Sequence, residues 1–267
     1  MKKEFISIIG IIILMLIYSF HKKEVLQMKN TSNVTLFVVY DNNEFDKKLK
    51  TSWGFACLIE VKGKKILFDT GGDSSILLSN IKALGILPEE IEIIVLSHIH
   101  GDHTGGLFGF LEVNPNVTIY LPNSFPQDFK DRIKHYGANY VNIEEGKEIF
   151  DGVYSTGELG TWIKEQSLII KTEKGVVLIT GCAHPGIVNI IRKAKELSNS
   201  NVYLVIGGFH LIGKSDEEIE GIIKNFKELG VKKVAPCHCT GEKAMNLFEK
   251  NYKNNFIKVG VGKIIKI

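Results

Sequence analysis

From Val34 onward, short runs of apolar, β-branched residues alternate with segments whose apolar positions recur every three or four residues. Thr35 to Tyr40 is β-branched and aromatic and predicts a strand. Phe55 to Val61 and Lys65 to Phe68 flank a Gly63-Lys64 turn and predict a hairpin, which Asp69-Thr70-Gly71-Gly72 brings to an end. Ser74 to Leu84 has helical spacing and stops at Gly85. Ile91 to Leu96 is apolar apart from Glu92, the pattern of a strand buried along most of its length. Further strands are predicted at Val117 to Leu121, Ser167 to Thr172, Val176 to Thr180, Val202 to Ile206 and Lys232 to Ala235. Helices are predicted at Gly186 to Leu197, Ser215 to Leu229 and Glu242 to Asn251. Loops at Asp41 to Ser52 and Pro122 to Tyr140 are expected to shape a pocket, and Trp53 and Trp162 to pack. Such alternation predicts an α/β protein with a mixed sheet, or two sheets covered by helices.

Composition changes this picture little. Of 267 residues, 44% are hydrophobic and 24% charged, an ordinary globular mixture with enough chain for one sizeable core. The net charge is +3 and the lysines are scattered, so no nucleic-acid partner is expected. Four cysteines, Cys57, Cys182, Cys237 and Cys239, follow no disulfide-scaffold spacing and are expected as free thiols.

The N-terminus reads differently. Lys2-Lys3 precedes an apolar run from Phe5 to Phe20, which as a helix covers roughly 24 Å, just short of a bilayer's hydrocarbon core. A signal peptide and a signal anchor both fit. No Ala-x-Ala-like cleavage site follows, so the expectation is a membrane-anchored, extracytoplasmic protein: an apolar segment over 1–23, a tether over 24–33 and a catalytic domain over 34–267.

The chemistry concentrates in Ser97-His98-Ile99-His100-Gly101-Asp102-His103-Thr104. Three imidazoles and a carboxylate crowd the end of an apolar strand, where alternate residues such as His98 and His100 point the same way. If Gly101 turns the chain into a helix, Asp102 and His103 swing to an adjacent position, and two neighbouring metal sites result. Imidazole and carboxylate suit zinc, and also iron or manganese. His184, His210 and His238 each follow a predicted strand, at the end where open α/β sheets place their sites. His184 and His238 are candidate ligands; His210 is a ligand or a substrate contact. Cys182 is a soft ligand or merely a small buried residue. His21 and His135 have no such setting and belong to the surface.

With Asp69-Thr70-Gly71 ahead of the His98-x-His100-x-Asp102-His103 segment, the sequence from Val34 to Ile267 resembles the metallo-β-lactamase superfamily. That resemblance implies a four-layer αββα sandwich with metals at one edge between the sheets. Two departures stand out: Glu158 lies where a third-motif histidine is usual, and Thr180-Gly181-Cys182 where the bridging aspartate is usual. His184 is then expected to replace a missing ligand. Gly181-Cys-Ala-His-Pro-Gly186, Gly207-Gly-Phe-His-Leu211 and Pro236-Cys-His-Cys-Thr-Gly241 resemble a subgroup named as dihydropterin ribofuranosyl-aminobenzene phosphate synthases.

The expected function is a dinuclear zinc hydrolase that cleaves an ester or phosphoester of a small molecule with a metal-bound hydroxide. Asp102 would orient the water or accept its proton, His210 would contact substrate, and Asp69 would fix a ligand histidine. The alternative is ribosyl-phosphate transfer to a pterin or aminobenzene acceptor. A non-catalytic metal-binding protein is a third reading.

Overall fold

The computed structural model describes residues 26–267. Thirteen strands form two sheets among these residues. One sheet has the order β13-β1-β2-β3-β4-β5-β6, built from Ile264–Lys266, Thr35–Asp41, Phe55–Val61, Lys64–Phe68, Ile91–Val95, Thr118–Pro122 and Asn139–Ile143. The other has the order β12-β11-β10-β9-β8-β7, built from Lys233–Cys237, Val202–Gly208, Gly175–Thr180, Leu168–Thr172, Val153–Gly157 and Glu145–Phe150. Strands β3 to β6 run parallel, as do β10 to β12; the other neighbours, including β13 beside β1, pair antiparallel.

The continuous apolar runs have a simple cause. Successive side chains of a strand point to opposite faces, and both faces here are covered. Phe55, Cys57 and Ile59 of β2 enter the core between the sheets, whereas Ala56 and Leu58 face the outer layer. Val177 and Ile179 of β10 share that inner core, while Val176 and Leu178 face helices on the far side. The outer layer on the first sheet includes α1 (Ser74–Ala83), α3 (Leu107–Leu111) and α4 (Gln127–His135), with the one-turn α2 (Gly101–Thr104) between α1 and α3 in sequence. The other outer layer is α5 (Ile187–Ser198), α6 (Asp216–Glu228) and α7 (Glu242–Tyr252). Ser215 and Glu218 close a reciprocal capping box that starts α6. The result is an αββα sandwich.

Several expectations change. Pro122 to Tyr140 is not a loop: it carries α4 and the start of β6. Trp162 is 97% exposed and Trp53 51% exposed, so neither is a packed core residue. The membrane-anchored placement is also corrected. Among the described residues no helix is long and apolar enough to cross a membrane, and the Phe5 to Phe20 run lies outside them, as does His21. Within the segment read as a tether, Met28 is buried against the second sheet and Thr31 bridges Thr172.

Backbone bonds of Asn43 and Asp46 with Val261 fix the middle of the 42–52 loop, and one buried amide fixes its end. Asn80 on α1 donates to the Val39 and Lys50 carbonyls and accepts from the Lys50 amide. Asn80→Ala strands these backbone groups and is expected to destabilise the fold by roughly 1–3 kcal/mol. Urea unfolding measures this, and an unchanged midpoint would mean that the amide holds nothing.

Candidate metal centre

Five strands end at one rim of the sandwich, and each delivers a polar side chain there. Asp69 follows β3, His98 and His100 follow β4, Cys182 and His184 follow β10, His210 follows β11 and His238 follows β12. The backbone at these ends is unusual. Asp69, Ala183, His210 and His238 all have φ between 48 and 62°, the left-handed region that costs a non-glycine residue of order 1–3 kcal/mol. Close approach adds a second constraint. A Cβ on Gly106 would lie 2.1 Å from the Thr70 carbonyl, and one on Gly181 would lie 2.2 Å from Ser97 Oγ. Only glycine lets these loops meet.

The Asp69 carboxylate, fully buried, organises the histidines. Its Oδ1 accepts from the Ser97 amide at 2.6 Å, and its Oδ2 from Ser97 Oγ and His103 Nδ1, both at 2.7 Å. Because Ser97 Oγ donates to Asp69, it accepts from His98 Nδ1 at 2.9 Å. His238 Nδ1 donates to the Asn42 amide oxygen at 3.0 Å. The protons of His98, His103 and His238 therefore sit on Nδ1, and each Nε2 presents a lone pair.

Those lone pairs face one another. His98 Nε2 lies 3.1 Å from His100 Nδ1, and these two form one donor set with His184. Burial, reinforced by the neighbouring imidazoles, pushes the His98 pKa well down; burial and His210 lower that of His184 to about 4. Both rings are neutral at pH 7, and the buried Nε2 of His184 has no hydrogen-bond partner. An orphaned buried nitrogen among lone pairs is costly unless a cation sits there.

Asp102, His103, Cys182 and His238 form the second set. Nε2 of His103 is 3.3 Å from Nε2 of His238 and 3.2 Å from Cys182 Sγ. His238 Nε2 is 3.4 Å from the same sulfur and 3.3 Å from Asp102 Oδ2, which is 3.7 Å from His103 Nε2. Around one tetrahedral zinc, two nitrogens stand about 3.3 Å apart, and a nitrogen and a thiolate about 3.6 Å. Burial opposes a charge on His103, but the Asp69 and Asp102 carboxylates outweigh it and raise its pKa. Burial likewise opposes a charge on Asp102, yet His238 and His103 hold its pKa low. The donors fit two adjacent cations.

The remaining candidates lie around these sets. His210 is exposed, with its ring 4.4 Å from that of His184, and it groups with Cys182 and Cys239 rather than with either set. The Cys182 and Cys239 sulfurs are 3.3 Å apart, and all four cysteines are free. Glu158 instead accepts from the Ser124 amide on the surface. Trp53 lies against His238, ring centroids 4.9 Å apart. A cleft of about 500 Å³ opens beside His184, lined by Trp162, Ile163 and Pro185. Sequence reasoning missed Asn42 and Glu165. Glu165 is buried and accepts from the amides of Cys182, Ala183 and His184, at 3.0, 2.9 and 2.8 Å. Burial raises its pKa to about 7, against the pull of those amides. No local motif marks it, because its partners lie 17 to 19 residues downstream.

Asp69→Asn sets an amide N–H against the donors of Ser97 or His103 and frees both rings to turn. Cation affinity is expected to fall roughly 10–100-fold, read by competition with a chromophoric chelator. Wild-type affinity would refute the orienting role.

Comparison with known proteins agrees with this geometry. The profile of the metallo-beta-lactamase superfamily matches residues 54–238. The 7,8-dihydropterin-6-methyl-4-(beta-D-ribofuranosyl)-aminobenzene-5'-phosphate synthase of Methanocaldococcus jannaschii is 37% identical over 262 residues, covering 80% of this chain and 89% of its own. Tm1679, whose structure is described as a metal-dependent hydrolase of the beta-lactamase superfamily, is 29% identical with a TM-score of 0.73. The alignment covers 88% of this chain and 99% of Tm1679. The metallo-beta-lactamase fold protein YhfI from Bacillus subtilis shares the fold, with 15% identity, a TM-score of 0.64 and coverage of 88% and 99%. Fold, motif and relatives agree, and the chain belongs to the metallo-beta-lactamase superfamily.

Proposed function

We propose that this protein is a dinuclear zinc hydrolase that cleaves an ester or phosphoester bond of a small molecule. The observation that carries the reading is the convergence of lone pairs: three histidines with an orphaned nitrogen beside an Asp-His-Cys-His quartet. Imidazole, carboxylate and a single thiolate favour zinc, with iron as the competitor. Bound cations would supply Lewis acidity toward a substrate oxygen and lower the pKa of water.

The chain's own groups account for the rest. Asp102, the half-buried carboxylate of its set, would help to hold a cation and orient an attacking water by accepting a hydrogen bond from it. Exposed His210, beside His184, is placed to meet a substrate's anionic group. Asp69, Ser97 and Asn42 hold the ligand rings in one tautomer, so little reorganisation accompanies reaction. The cleft bounded by Trp162 and Pro185 gives a substrate an apolar wall next to the cations.

The similarity to the Methanocaldococcus jannaschii synthase supports a second reading, ribosyl-phosphate transfer to a pterin or aminobenzene acceptor. A zinc-reconstituted preparation offered ester, lactone and phosphodiester substrates, and separately a phosphoribosyl donor with such acceptors, separates the two. Hydrolysis of at least one ester class is expected, lost with a chelator and restored by zinc. His98→Ala and His103→Ala are each expected to abolish turnover and lower bound zinc. A condensation product without hydrolysis would transfer the assignment to the second reading, and full activity without metal would remove both.

A further inference from the structure

The two donor sets draw on loops from different sheets, and something must fix the distance between those loops. The first loop, Ser97 to His103, follows β4 of one sheet; the second, Cys182 to His184, follows β10 of the other. Both sets contain members of each loop. His184 must meet His98 and His100, and Cys182 must meet Asp102 and His103. A shift of either loop by a fraction of an ångström would open both sets at once.

One dipeptide touches both. Glu165 grips the second loop through three consecutive amides, with Oε1 on Cys182 and Ala183 and Oε2 on His184. These partners bracket Ala183, which is held at φ 62° and so needs an external restraint. Gln166 grips the first loop. Its amide donates to the Ser97 carbonyl at 2.9 Å, and its side chain donates to the carbonyls of Leu96 and Tyr120 at 2.9 and 3.2 Å. Its own amide oxygen accepts from Ser155 Oγ at 2.6 Å, tying it back to β8 of the second sheet. The dipeptide is itself anchored by the paired backbone bonds of Glu165 with Leu159. Both side chains are buried at 0–1% exposure, so water cannot stand in for them.

We infer that Glu165 and Gln166 clamp the two ligand-bearing loops at the spacing that both cations require, with Glu165 as the positioning residue of the second loop. The inference rests on the dinuclear reading above, though neither residue belongs to either donor set. The chemistry of the contacts makes it specific. Three amide donors converge on Glu165, and a carboxylate can accept from all of them. A glutamine of the same shape turns an N–H toward at least one amide, and an aspartate is one methylene short.

The test uses the full chain with Glu165→Gln, Glu165→Asp and, for comparison, His100→Ala. Zinc dissociation constants and the visible spectrum of the cobalt-substituted protein are measured together with urea midpoints. Glu165→Gln is expected to weaken both cations by roughly 10–100-fold and to alter the cobalt spectrum. His100→Ala, which removes a donor from one set, is expected to weaken one cation more than the other. Hydrogen exchange at the Cys182, Ala183 and His184 amides is expected to quicken in Glu165→Gln and less so in Glu165→Asp. Wild-type affinities and spectrum in the glutamine variant would overturn the clamp. Should that variant fail to fold, an aspartate variant indistinguishable from wild type would overturn it equally. If the wild-type protein binds no zinc, the dinuclear reading falls. Amide exchange then decides the clamp alone, and unchanged protection would end it.

Discussion

The centre depends first on a buried negative charge. Asp69 sits where no water reaches, in left-handed backbone, and accepts from a backbone amide, a hydroxyl and an imidazole. An unpaired carboxylate there would be expensive, so the three donors are held to it as firmly as it holds them. From that point the orientation spreads. Ser97 passes it to His98, the Thr70 amide and hydroxyl bind the His103 carbonyl, and both rings turn their unprotonated nitrogens inward. Gathering like-signed lone pairs is unfavourable in itself. The surrounding fold supplies the restraint, through a sandwich whose inner core joins strands of both sheets.

That arrangement explains why strain and close approach collect at one rim. Four loops at the rim carry non-glycine residues in left-handed backbone, and several glycines there, Gly106, Gly181 and Gly207 among them, admit contacts that any side chain would block. Away from the rim left-handed residues also occur, at Asn33, Lys62, Asn199 and Lys253, but none of these carries a candidate ligand or precedes one. Local preference is given up where ligands must converge, as functional sites in other folds also show.

What could be read from the residues follows from the same physics. Strands covered on both faces, such as β10 and β11, declare themselves as nearly unbroken apolar runs. Edge strands do not: β7 reads Glu-Gly-Lys-Glu-Ile-Phe and buries only Ile149 fully. Helix α4 is equally quiet, with Lys130 and Ile133 as its buried residues among charges, and it was expected as loop. In the centre, His98 to His103 were conspicuous because four donors share six positions. Glu165 and Asn42 were invisible, since each acts on a residue far along the chain and belongs to no repeating pattern. The membrane placement came from a run outside the described residues, and the described fold contains no spanning helix.

Consider finally that the donors come in two instalments, one from residues 98–103 and the other from residues 182–238, on different sheets. Neither half amounts to a site alone. A chain emerging from the ribosome therefore carries its densest histidine segment long before any partner exists to complete it. Ions captured early would be held loosely and exchanged, and tight retention would begin only when the sheets close upon each other. Metal retention is thereby a report on whole-molecule folding, and a destabilising change in a remote helix would register as a leakier centre.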